Sequence, residues 1–389
     1  MKKKLVKIAT ISKSIDILLK GQLTFFKNKY NLKVVASYDN SVQNIYSREG
    51  VKVNPITIHR TPKILKDIFS LINLYLYFIK ERPFIIHSIT PKAGLLSMIA
   101  GYFARVPIRI HTFTGLVFEG KNGLYRRTLI LFDKVTCYFA TNVYPEGEGV
   151  KNTLINHKIT SKSLKVLAYG NINGIDVEFF NISSITKEHI DFIQKKHNIS
   201  TNDFIFIYIG RIVGDKGINE LIQAFVFLQQ KYYNIKLLIL GEEEVDFDEL
   251  ELATKKEIYS NTNIITTGFI NDIRPYLVVS DVHILPSYRE GFPNVILQAG
   301  SMGVPSIVSN ISGSNEIITH EYNGLLIEKK CVKSLIQAMK RTIEDKSLLM
   351  FLKSNTRSII KKKYTNEIVW NALLDEYMIL ENKYNSSYK

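Results

Sequence analysis

The sequence has few of the residues that mark small secreted or fibrous proteins. Among its 389 residues there are two cysteines, ten prolines and one tryptophan. Cys137 and Cys331 cannot build a disulfide framework and lack metal-ligand spacing, so the expected compartment is a reducing cytosol. Hydrophobic residues make up 46% of the chain, which excludes wholesale disorder. The length suffices for two domains of ordinary size.

Long hydrophobic runs are also missing. No stretch approaches the roughly 18 consecutive apolar residues that a membrane-spanning helix needs. The nearest, IFSLINLYLYFI at residues 68–79, is interrupted by Ser70 and Asn73. A buried helix and an interfacial helix both fit it, and the buried one is favoured. The opening MKKKLVKIAT has a short apolar run broken by Lys7, which predicts a first strand and not a signal peptide.

Acidic residues are scarce in the first half of the chain. The net charge is +15, but residues 1–170 carry an excess of 18 positive charges and the remainder an excess of three negative charges. This asymmetry predicts that the first domain meets a polyanion: an anionic membrane surface, a diphosphate-linked substrate or nucleic acid. No helix-turn-helix, zinc-finger or aromatic RNA-reading motif appears, so a nucleic-acid partner is not expected.

One basic segment has two interpretations. The stretch LYRRTLILFDK at residues 124–134 combines Arg126, Arg127 and Lys134 with an apolar face. Packing on a core with one solvated side explains this pattern, and so does contact with an anionic membrane interface.

Short β-rich runs alternate with helical stretches along the whole chain. The predicted strands are residues 5–10, 33–37, 84–88, 108–112, 165–169, 204–209, 235–240, 263–267, 282–285, 306–308 and 325–327. Helices are predicted between them, for example at residues 16–30 and 93–104. The alternation indicates an α/β fold with parallel sheets covered on both faces. A turn-rich connector, GNINGIDVEFF, divides the chain into doubly wound domains at residues 1–172 and 173–364, which we expect to face each other across a cleft.

The first segment with chemical potential is FIFIYIGRIVGDKGINELIQAF, residues 204–225. A predicted strand ends at Gly210, and Arg211 and Lys216 lie in the loop before a helix. Two cations beside a helix start form a pocket for a diphosphate. The alternative is that both side chains are simply solvated.

The second segment is SDVHILPSYREGFPNVILQAGSMGVPSIVSN, residues 280–310. Gly291 lets the backbone come close to a ligand, and the amides of residues 292–295 at the following helix start are predicted to face phosphate oxygens. Glu290 precedes this turn, where it can accept hydrogen bonds from sugar hydroxyls. Gln298 lies a little over two helical turns further on, on the side of Asn294.

Taken together, these segments resemble glycosyltransferase family 4, a group of retaining enzymes with the GT-B fold. The resemblance covers essentially the whole chain. Its most specific motifs are GRIVGDKG, DVHILPS, REGFPNVILQAGSMGVPSIV, GSNEII, NGLL and NGIDVEFF. HTFTGLVF and LLKGQL are similar to the capsular and O-antigen subgroup. The resemblance implies transfer of a sugar from a UDP- or GDP-sugar to a polyprenyl-diphosphate-linked glycan, on the inner face of the cytoplasmic membrane. It implies neither a cofactor nor a catalytic metal.

The resemblance also assigns roles to residues. Arg211 and Lys216 would hold the donor diphosphate, and Glu290 the hydroxyls of the donor sugar. His111 would reach the sugar from the first domain, although a histidine here also fits a purely structural role. The donor-binding set is completed by Gly210, Gly291, Phe292, Pro293, Asn294, Gln298 and Glu316. A helix at about residues 365–383 would pack back on the first domain.

The sequence departs from the family pattern in two places. Gln298 stands where family members have a second glutamate that binds the nucleotide ribose; glutamine keeps an acceptor oxygen but loses the charge. The first loop, ISKSID, lacks the usual pair of glycines, and Ser12 and Ser14 are candidates to replace them at the acceptor. Thr114 and Gly115 are further candidates for acceptor contacts.

Two further features of the sequence have alternative interpretations. Asp246-Phe247-Asp248 resembles the acidic pair that holds a metal in another glycosyltransferase fold, but its acidic surroundings favour a solvated helix start, and no metal is expected. A sugar-nucleotide epimerase of the same fold is the nearest enzymatic alternative. The basic first domain argues against it, because an epimerase needs no acceptor surface.

Overall fold

Short runs of buried apolar residues build two separate parallel sheets, so the predicted α/β architecture is confirmed. The computed structural model describes residues 2–61, 63–244 and 248–387. One unit contains the described residues up to Gly174 and from Asn366 onward; we call it the first unit. The second unit is Ile175–Thr365. Asp246 and Phe247 of the acidic stretch lie outside the described residues.

The first unit has a six-stranded sheet in the order β3-β2-β1-β4-β5-β6. Its strands are β1 (Lys4–Ile11), β2 (Asn31–Ser37), β3 (Val53–Pro55), β4 (Ile85–Ser88), β5 (Ile108–Phe113) and β6 (Asn142–Pro145). The helices between and after them are α1 (Ser12–Leu18), α2 (Gln22–Lys29), α3 (Ser41–Glu49), α4 (Ile64–Glu81), α5 (Pro91–Phe103), α6 (Gly123–Phe139) and α7 (Glu148–Asn156).

The second unit has the order β12-β11-β10-β7-β8-β9. Its strands are β7 (Phe204–Ile209), β8 (Ile235–Leu240), β9 (Ile264–Gly268), β10 (Val282–Leu285), β11 (Ser306–Ser309) and β12 (Gly324–Ile327). Its helices are α8 (Lys187–Lys196), α9 (Ile218–Gln229), α10 (Leu252–Ser260), α11 (Arg274–Val278), α12 (Asn294–Ser301), α13 (Ser314–Ile317), α14 (Val332–Glu344) and α15 (Lys346–Lys363).

Both sheets have the same winding, and it determines where each can bind a ligand. All strand pairs within them are parallel. In the first unit the strand order reverses between β1 and β4, and in the second between β7 and β10. Ligands of doubly wound sheets bind outside the carboxyl ends of the strands at such a reversal.

The strand sequences explain why helices cover both faces of each sheet. β7 reads FIFIYI, and its central residues Ile205, Phe206, Ile207 and Tyr208 are all buried. A run without alternation of apolar and polar residues is buried on both faces, as parallel strands are. Burial of such runs is the main favourable contribution to folding.

The structure differs from the predicted elements in several places. Residues 165–169 form no strand; this segment has only an isolated bridge between Ala168 and Gly170. Strands β3 and β6 were not predicted, and both are short and lie at sheet edges. The predicted helix at residues 16–30 is divided into α1 and α2 near Gly21, which has a φ of 80°.

Helix α4 is largely exposed, so the preference for a buried helix at residues 68–79 was wrong. Only Ser70, Leu74 and Phe78 of α4 are buried. Apolar side chains on its outer face are exposed at helical spacing: Leu65, Phe69, Ile72, Leu76 and Ile79. We call these five residues the outer stripe of α4. Within the described residues, no helix combines the length and the apolar character that crossing a membrane requires.

The last helix, α16 (Asn366–Ser387), belongs to the first unit. Tyr377 is fully buried against Phe26 and its hydroxyl lies 2.5 Å from His87 Nδ1. Glu376 accepts hydrogen bonds from the Tyr144 hydroxyl at 2.7 Å and from Lys165 Nζ at 2.6 Å. These contacts attach the end of the chain to the first sheet.

His87 joins α16 to a buried lysine. Lys7 Nζ lies 3.2 Å from His87 Nδ1 and donates to Gln22 Oε1 at 3.0 Å. The Tyr377 hydroxyl and Lys7 Nζ both lie within hydrogen-bond distance of His87 Nδ1, and His87 Nε2 lies 2.7 Å from Thr112 Oγ1. Burial lowers the pKa of Lys7 to about 7.

We predict that Tyr377→Phe destabilises the protein by about 1–2 kcal/mol, because it removes the hydrogen bond between the Tyr377 hydroxyl and the buried His87 Nδ1. Urea unfolding monitored by circular dichroism measures the change. Tyr138→Phe is the matched control, since that tyrosine is 75% exposed, and its stability should stay within about 0.5 kcal/mol of wild type. Equal stabilities of the two variants would contradict the role of this hydrogen bond.

Candidate functional site

The loops after β7 and β10 form the candidate site of the second unit. These two strands are neighbours in the sheet, and the strand order reverses between them. Residues 210–217 follow β7 and residues 286–293 follow β10. The two segments singled out in the sequence therefore meet where a doubly wound sheet binds its ligand.

The central contact of the site is an ion pair between Lys216 and Glu290. Lys216 Nζ lies 2.6 Å from Glu290 Oε1, and the two side chains are 17% and 13% exposed. The cation predicted to hold a diphosphate and the carboxylate predicted to hold a sugar thus lie side by side. Neither is simply solvated.

Further contacts hold the two loops together. The Asp215 carbonyl accepts a hydrogen bond from the Tyr288 amide at 2.9 Å, and its carboxylate pairs with Arg289 at 2.9 Å. Gly217 has a φ of 73°, and a Cβ there would lie 2.2 Å from the Pro286 carbonyl oxygen. Only glycine allows both this backbone conformation and this close approach.

Arg211 lies at the start of the first loop, directly after Gly210. Its guanidinium is 44% exposed and pairs with Glu244 at 2.8 Å. The buried Tyr208 hydroxyl donates to the Arg211 carbonyl at 2.7 Å, which fixes the backbone where the strand ends. The sequence did not single out Glu244, because it lies in an acidic run that was interpreted as solvated.

Helix α12 begins shortly after Glu290. Its N-cap residue, Pro293, forms no side-chain cap. Pro293 has no N–H and cannot donate, so the prediction that it contributes an amide was wrong. Phe292 is 6% exposed and packs on Tyr364, so its side chain belongs to the core. Gln298 is half-buried, one turn after Asn294 on the same face.

A third loop approaches the turn at Gly291. Gly313 has a φ of 78°, and a Cβ there would lie 2.0 Å from the Gly291 carbonyl oxygen. Glu316 accepts a hydrogen bond from the Gly313 amide at 3.1 Å, so one of its oxygens stabilises the start of α13. The predicted ligand role of Glu316 stays a prediction.

Several serines at these strand ends were missed by the sequence analysis. In the part of the chain that the structure describes, buried hydroxyls without a hydrogen-bond partner occur at Ser287, Ser309, Ser312 and Ser314. A buried hydroxyl normally has a partner. Ser287 follows β10, and Ser312 and Ser314 flank Gly313, so all three lie beside the candidate site. Single serines have no spacing signal that sequence inspection could detect.

A cavity of about 460 Å³ adjoins Arg211 at the ends of β7, β8 and β9. Its lining includes Ile212, Gly241, Glu242 and Tyr259. Its volume lies within the range of small-molecule sites. Its lining residues come from the loops after β7 and β8, from helix α10 and from strand β9, so no single sequence segment indicates it.

In the first unit, His111 is an interior residue. It lies within β5, is 1% exposed, and its Nδ1 is 2.8 Å from Ser88 Oγ. A Cβ at Gly94 would lie 2.4 Å from its ring. Burial lowers the pKa of His111 to about 3, so the ring is neutral at physiological pH. Its contact with a sugar stays a prediction; Thr114 and Gly115, at the end of β5, are half-buried.

The segment predicted as the first loop is the start of α1. Ser12 is fully buried and donates to the Ser37 carbonyl at 2.7 Å, so its hydroxyl serves the fold. Ser14, two residues further on, lines a groove of the first unit. Its contact with an acceptor stays a prediction.

The chain is similar to known glycosyltransferases. The family model described as "Glycosyl transferases group 1" matches residues 189–359. A capsular polysaccharide biosynthesis glycosyltransferase, CapM of Staphylococcus aureus, is 32% identical over 376 residues, 96% of each chain. An Escherichia coli UDP-Gal:α-D-GlcNAc-diphosphoundecaprenol α-1,3-galactosyltransferase is 30% identical over 311 residues, 78% of each chain.

A solved structure shows the same fold. Anabaena Alr3699/HepE, crystallised in complex with UDP, superposes with a TM-score of 0.80 at 17% identity, over 96% of this chain and 99% of that chain.

We predict that Glu290→Gln strengthens the binding of a bare nucleoside diphosphate by about tenfold. The substitution removes the carboxylate that competes with phosphate oxygens for Lys216, and a tenfold change corresponds to about 1.4 kcal/mol. Titration calorimetry with UDP and GDP measures the affinity. The control is Glu328→Gln, an exposed glutamate of the same unit, which should bind like wild type. Unchanged or weaker binding by Glu290→Gln would show that the ion pair does not compete with the ligand.

Proposed function

The chain belongs to the glycosyl transferases group 1 family and has the GT-B fold, and from this premise we propose its reaction. It moves a sugar from a nucleoside-diphosphate sugar to a hydroxyl of a lipid-diphosphate-linked saccharide, with retention at the anomeric carbon. The product is a precursor of a bacterial surface polysaccharide of the capsule or O-antigen type. Two relatives named for diphosphoundecaprenol-linked acceptors and one named for capsular polysaccharide biosynthesis support this assignment.

The observation that carries the proposal is the Lys216–Glu290 pair, which lies close to the start of α12. A diphosphate needs cations and amide donors, and a sugar needs carboxylate acceptors. Both sets occur within one ion-pair distance, 2.6 Å. A donor that contains both groups can bind Lys216 through its phosphate and Glu290 through its sugar hydroxyls. These contacts replace the ion pair between the two side chains, so neither buried charge is left unpaired.

In the proposed mechanism, the protein stabilises the charge that develops on the leaving diphosphate. Arg211, Lys216 and the first amides of α12 provide preorganised positive potential there. Glu290 orients the sugar hydroxyls. The departing diphosphate takes the proton of the acceptor hydroxyl on the same face of the sugar, so the configuration is retained without a side-chain nucleophile.

The cavity beside Arg211 is the proposed place of the nucleobase. It lies at the carboxyl ends of the strands next to the diphosphate groups, and Tyr259 contributes an aromatic ring to its lining. Gln298 is proposed to contact the ribose. Both UDP- and GDP-sugars remain candidate donors.

We propose that the reaction needs neither a cofactor nor a divalent metal. Two side-chain cations and a helix start already supply the charge that a metal would provide to the diphosphate. The role of the metal is thus taken by residues of the chain itself.

The proposed location is the anionic inner face of the cytoplasmic membrane, reached through the first unit. The outer stripe of α4 is exposed, and Leu124 and Leu131 of α6 are 79% and 57% exposed. Arg127 and Lys134 are exposed beside them, whereas Arg126 is engaged with His157 at 2.7 Å. Apolar side chains among exposed cations are typical of helices that lie in a membrane interface.

We predict that Arg211→Ala and Lys216→Ala each lower turnover by about 10²- to 10³-fold, because each removes charge stabilisation from the leaving diphosphate. Release of nucleoside diphosphate with saturating donor and a polyprenyl-diphosphate saccharide measures the rate. The assay contains EDTA, in which the wild-type rate should stay unchanged.

Matched controls for this prediction are Arg341→Ala and Lys231→Ala, which break exposed ion pairs of the same unit with Glu321 and Glu344. Near wild-type turnover in both site variants would refute the donor-site assignment. Interconversion of the donor sugar without any acceptor would favour the epimerase instead.

We predict that the protein sediments with vesicles containing phosphatidylglycerol and much less with pure phosphatidylcholine vesicles. Replacing Phe69, Ile72 and Leu76 by serine should weaken binding at least tenfold, because each buried apolar side chain contributes about 1.5–3 kcal/mol. The control variant carries serine in place of Phe192, Phe227 and Tyr233 of the second unit, which are 62%, 56% and 85% exposed. Equal losses in both triple variants, or equal binding to both vesicle types, would contradict this surface.

A further inference from the structure

The first unit contains a groove of about 530 Å³ between α4, α5 and α6. Its walls are apolar and come from all three helices: Ile68 and Leu71 of α4, Leu95 and Leu96 of α5, and Leu129 and Phe132 of α6. The volume lies within the range of small-molecule sites. The site described for the second unit does not include this groove.

The groove lies where the winding of the first sheet predicts a ligand. Thr10 and Ile11 at the end of β1 and Thr90 after β4 line it, and the strand order reverses between these two strands. Thr10 and Thr90 are joined by a hydrogen bond between their hydroxyls at 2.8 Å. Ser14, one of the predicted acceptor contacts, also lines the groove.

Positive charge is concentrated at one end of the groove. Asp67 and Lys92 neutralise each other in an ion pair at 2.6 Å. Arg60 is exposed, lines the groove and has no ion pair within the described residues. Helix α5 starts there without a side-chain cap, because the Thr90 hydroxyl is engaged with Thr10. This end therefore suits an anion.

The groove-lining residues Leu129, Phe132 and Asp133 of α6 are half-buried. Burial raises the pKa of Asp133 to about 7. The walls formed by Leu95, Leu96, Leu129 and Phe132 offer no hydrogen-bond partners, so this part of the groove suits hydrocarbon better than a sugar.

We propose that this groove binds the first isoprenoid units of the acceptor's lipid carrier, with the diphosphate at the end formed by Arg60 and the start of α5. This inference rests on the proposed function, since that function supplies an acceptor that combines a diphosphate with a hydrocarbon chain. The ligand matches the groove in both respects: an anion at one end and apolar surface along the rest. The remaining chain would continue into the membrane beside the outer stripe of α4.

The test uses the full chain and an isoprenoid diphosphate of four units that carries a diazirine at its far end. After illumination, mass spectrometry of peptides from the wild-type protein should place the crosslinks on α4, α5 or α6 at groove-lining residues. Crosslinks confined to the second unit or to the outer stripe would overturn the proposal. This readout needs no sugar transfer, so it remains informative even if the proposed reaction is wrong.

Variants then test the groove by filling it. Leu95→Trp and Leu129→Trp should each weaken binding of the isoprenoid diphosphate at least tenfold. Tyr138→Trp on α6 is the control, because Tyr138 is 75% exposed and does not line the groove; it should bind like wild type. Unchanged UDP or GDP binding and unchanged far-ultraviolet circular dichroism would show that the filled variants are folded.

A second comparison separates the two ends of the groove. Arg60→Ala should weaken binding of the isoprenoid diphosphate severalfold and leave binding of the corresponding isoprenoid alcohol unchanged. The proposal would be overturned if the wild-type protein bound inorganic diphosphate as tightly as the isoprenoid diphosphate. Equal losses of affinity in Tyr138→Trp and in the two groove-filling variants would overturn it as well. Association of two copies through this groove, detected by light scattering, would assign it to a different occupant and also count against the proposal.

Discussion

The site depends on the requirement that every strand in each sheet run parallel to its neighbours. Parallel strands bring all their carboxyl ends to one edge, and a doubly wound order leaves a gap where the winding reverses. In the second unit this reversal makes β7 and β10 neighbours, although more than 70 residues separate them. Lys216 and Glu290, which follow these strands, therefore come within 2.6 Å of each other. Without this winding, the two loops would be ordinary polar surface segments.

The ion pair between Lys216 and Glu290 connects the two loops and fixes the positions of their polar side chains. Lys216 and Glu290 are both mostly buried, so removing either one would leave the other as an unpaired buried charge and would destabilise the protein. The glycines at 217 and 313 bring backbone carbonyls close to the same loops, so side chains and main chain define one geometry. A donor that replaces the pair with its own phosphate and hydroxyls meets groups that are already oriented. Preorganisation of this kind is the main source of electrostatic catalysis.

Sequence patterns predicted much of this structure, and their failures have physical reasons. Long apolar runs such as β7 gave the correct strands, since burial on both faces leaves an unambiguous pattern. Short edge strands such as β3 and β6 lack this pattern. Residues 165–169 contain an apolar run, but they form only an isolated bridge and no strand. In the site, charged residues in motifs were found, but Glu244 and the serines around Gly313 were not, because their proximity is created by the fold. His111 shows the opposite case, in which a motif residue lies inside the strand and is buried by Gly94.

Helix α4 shows why composition alone could not decide between a buried and an interfacial helix. The helix has three sides in different environments. One side, with Leu74 and Phe78, is buried in the core; a second, with Ile68 and Leu71, lines the groove; and the third, the outer stripe, is exposed to solvent. A helix with apolar residues all round normally belongs in a core, which is the basis of the buried interpretation. Here only one side is needed for the core, so the other two must be explained by something outside the fold. The proposed lipid carrier and the proposed membrane contact would account for both, because each presents hydrocarbon next to phosphate. They would also account for the excess positive charge of the first 170 residues, which no core requires.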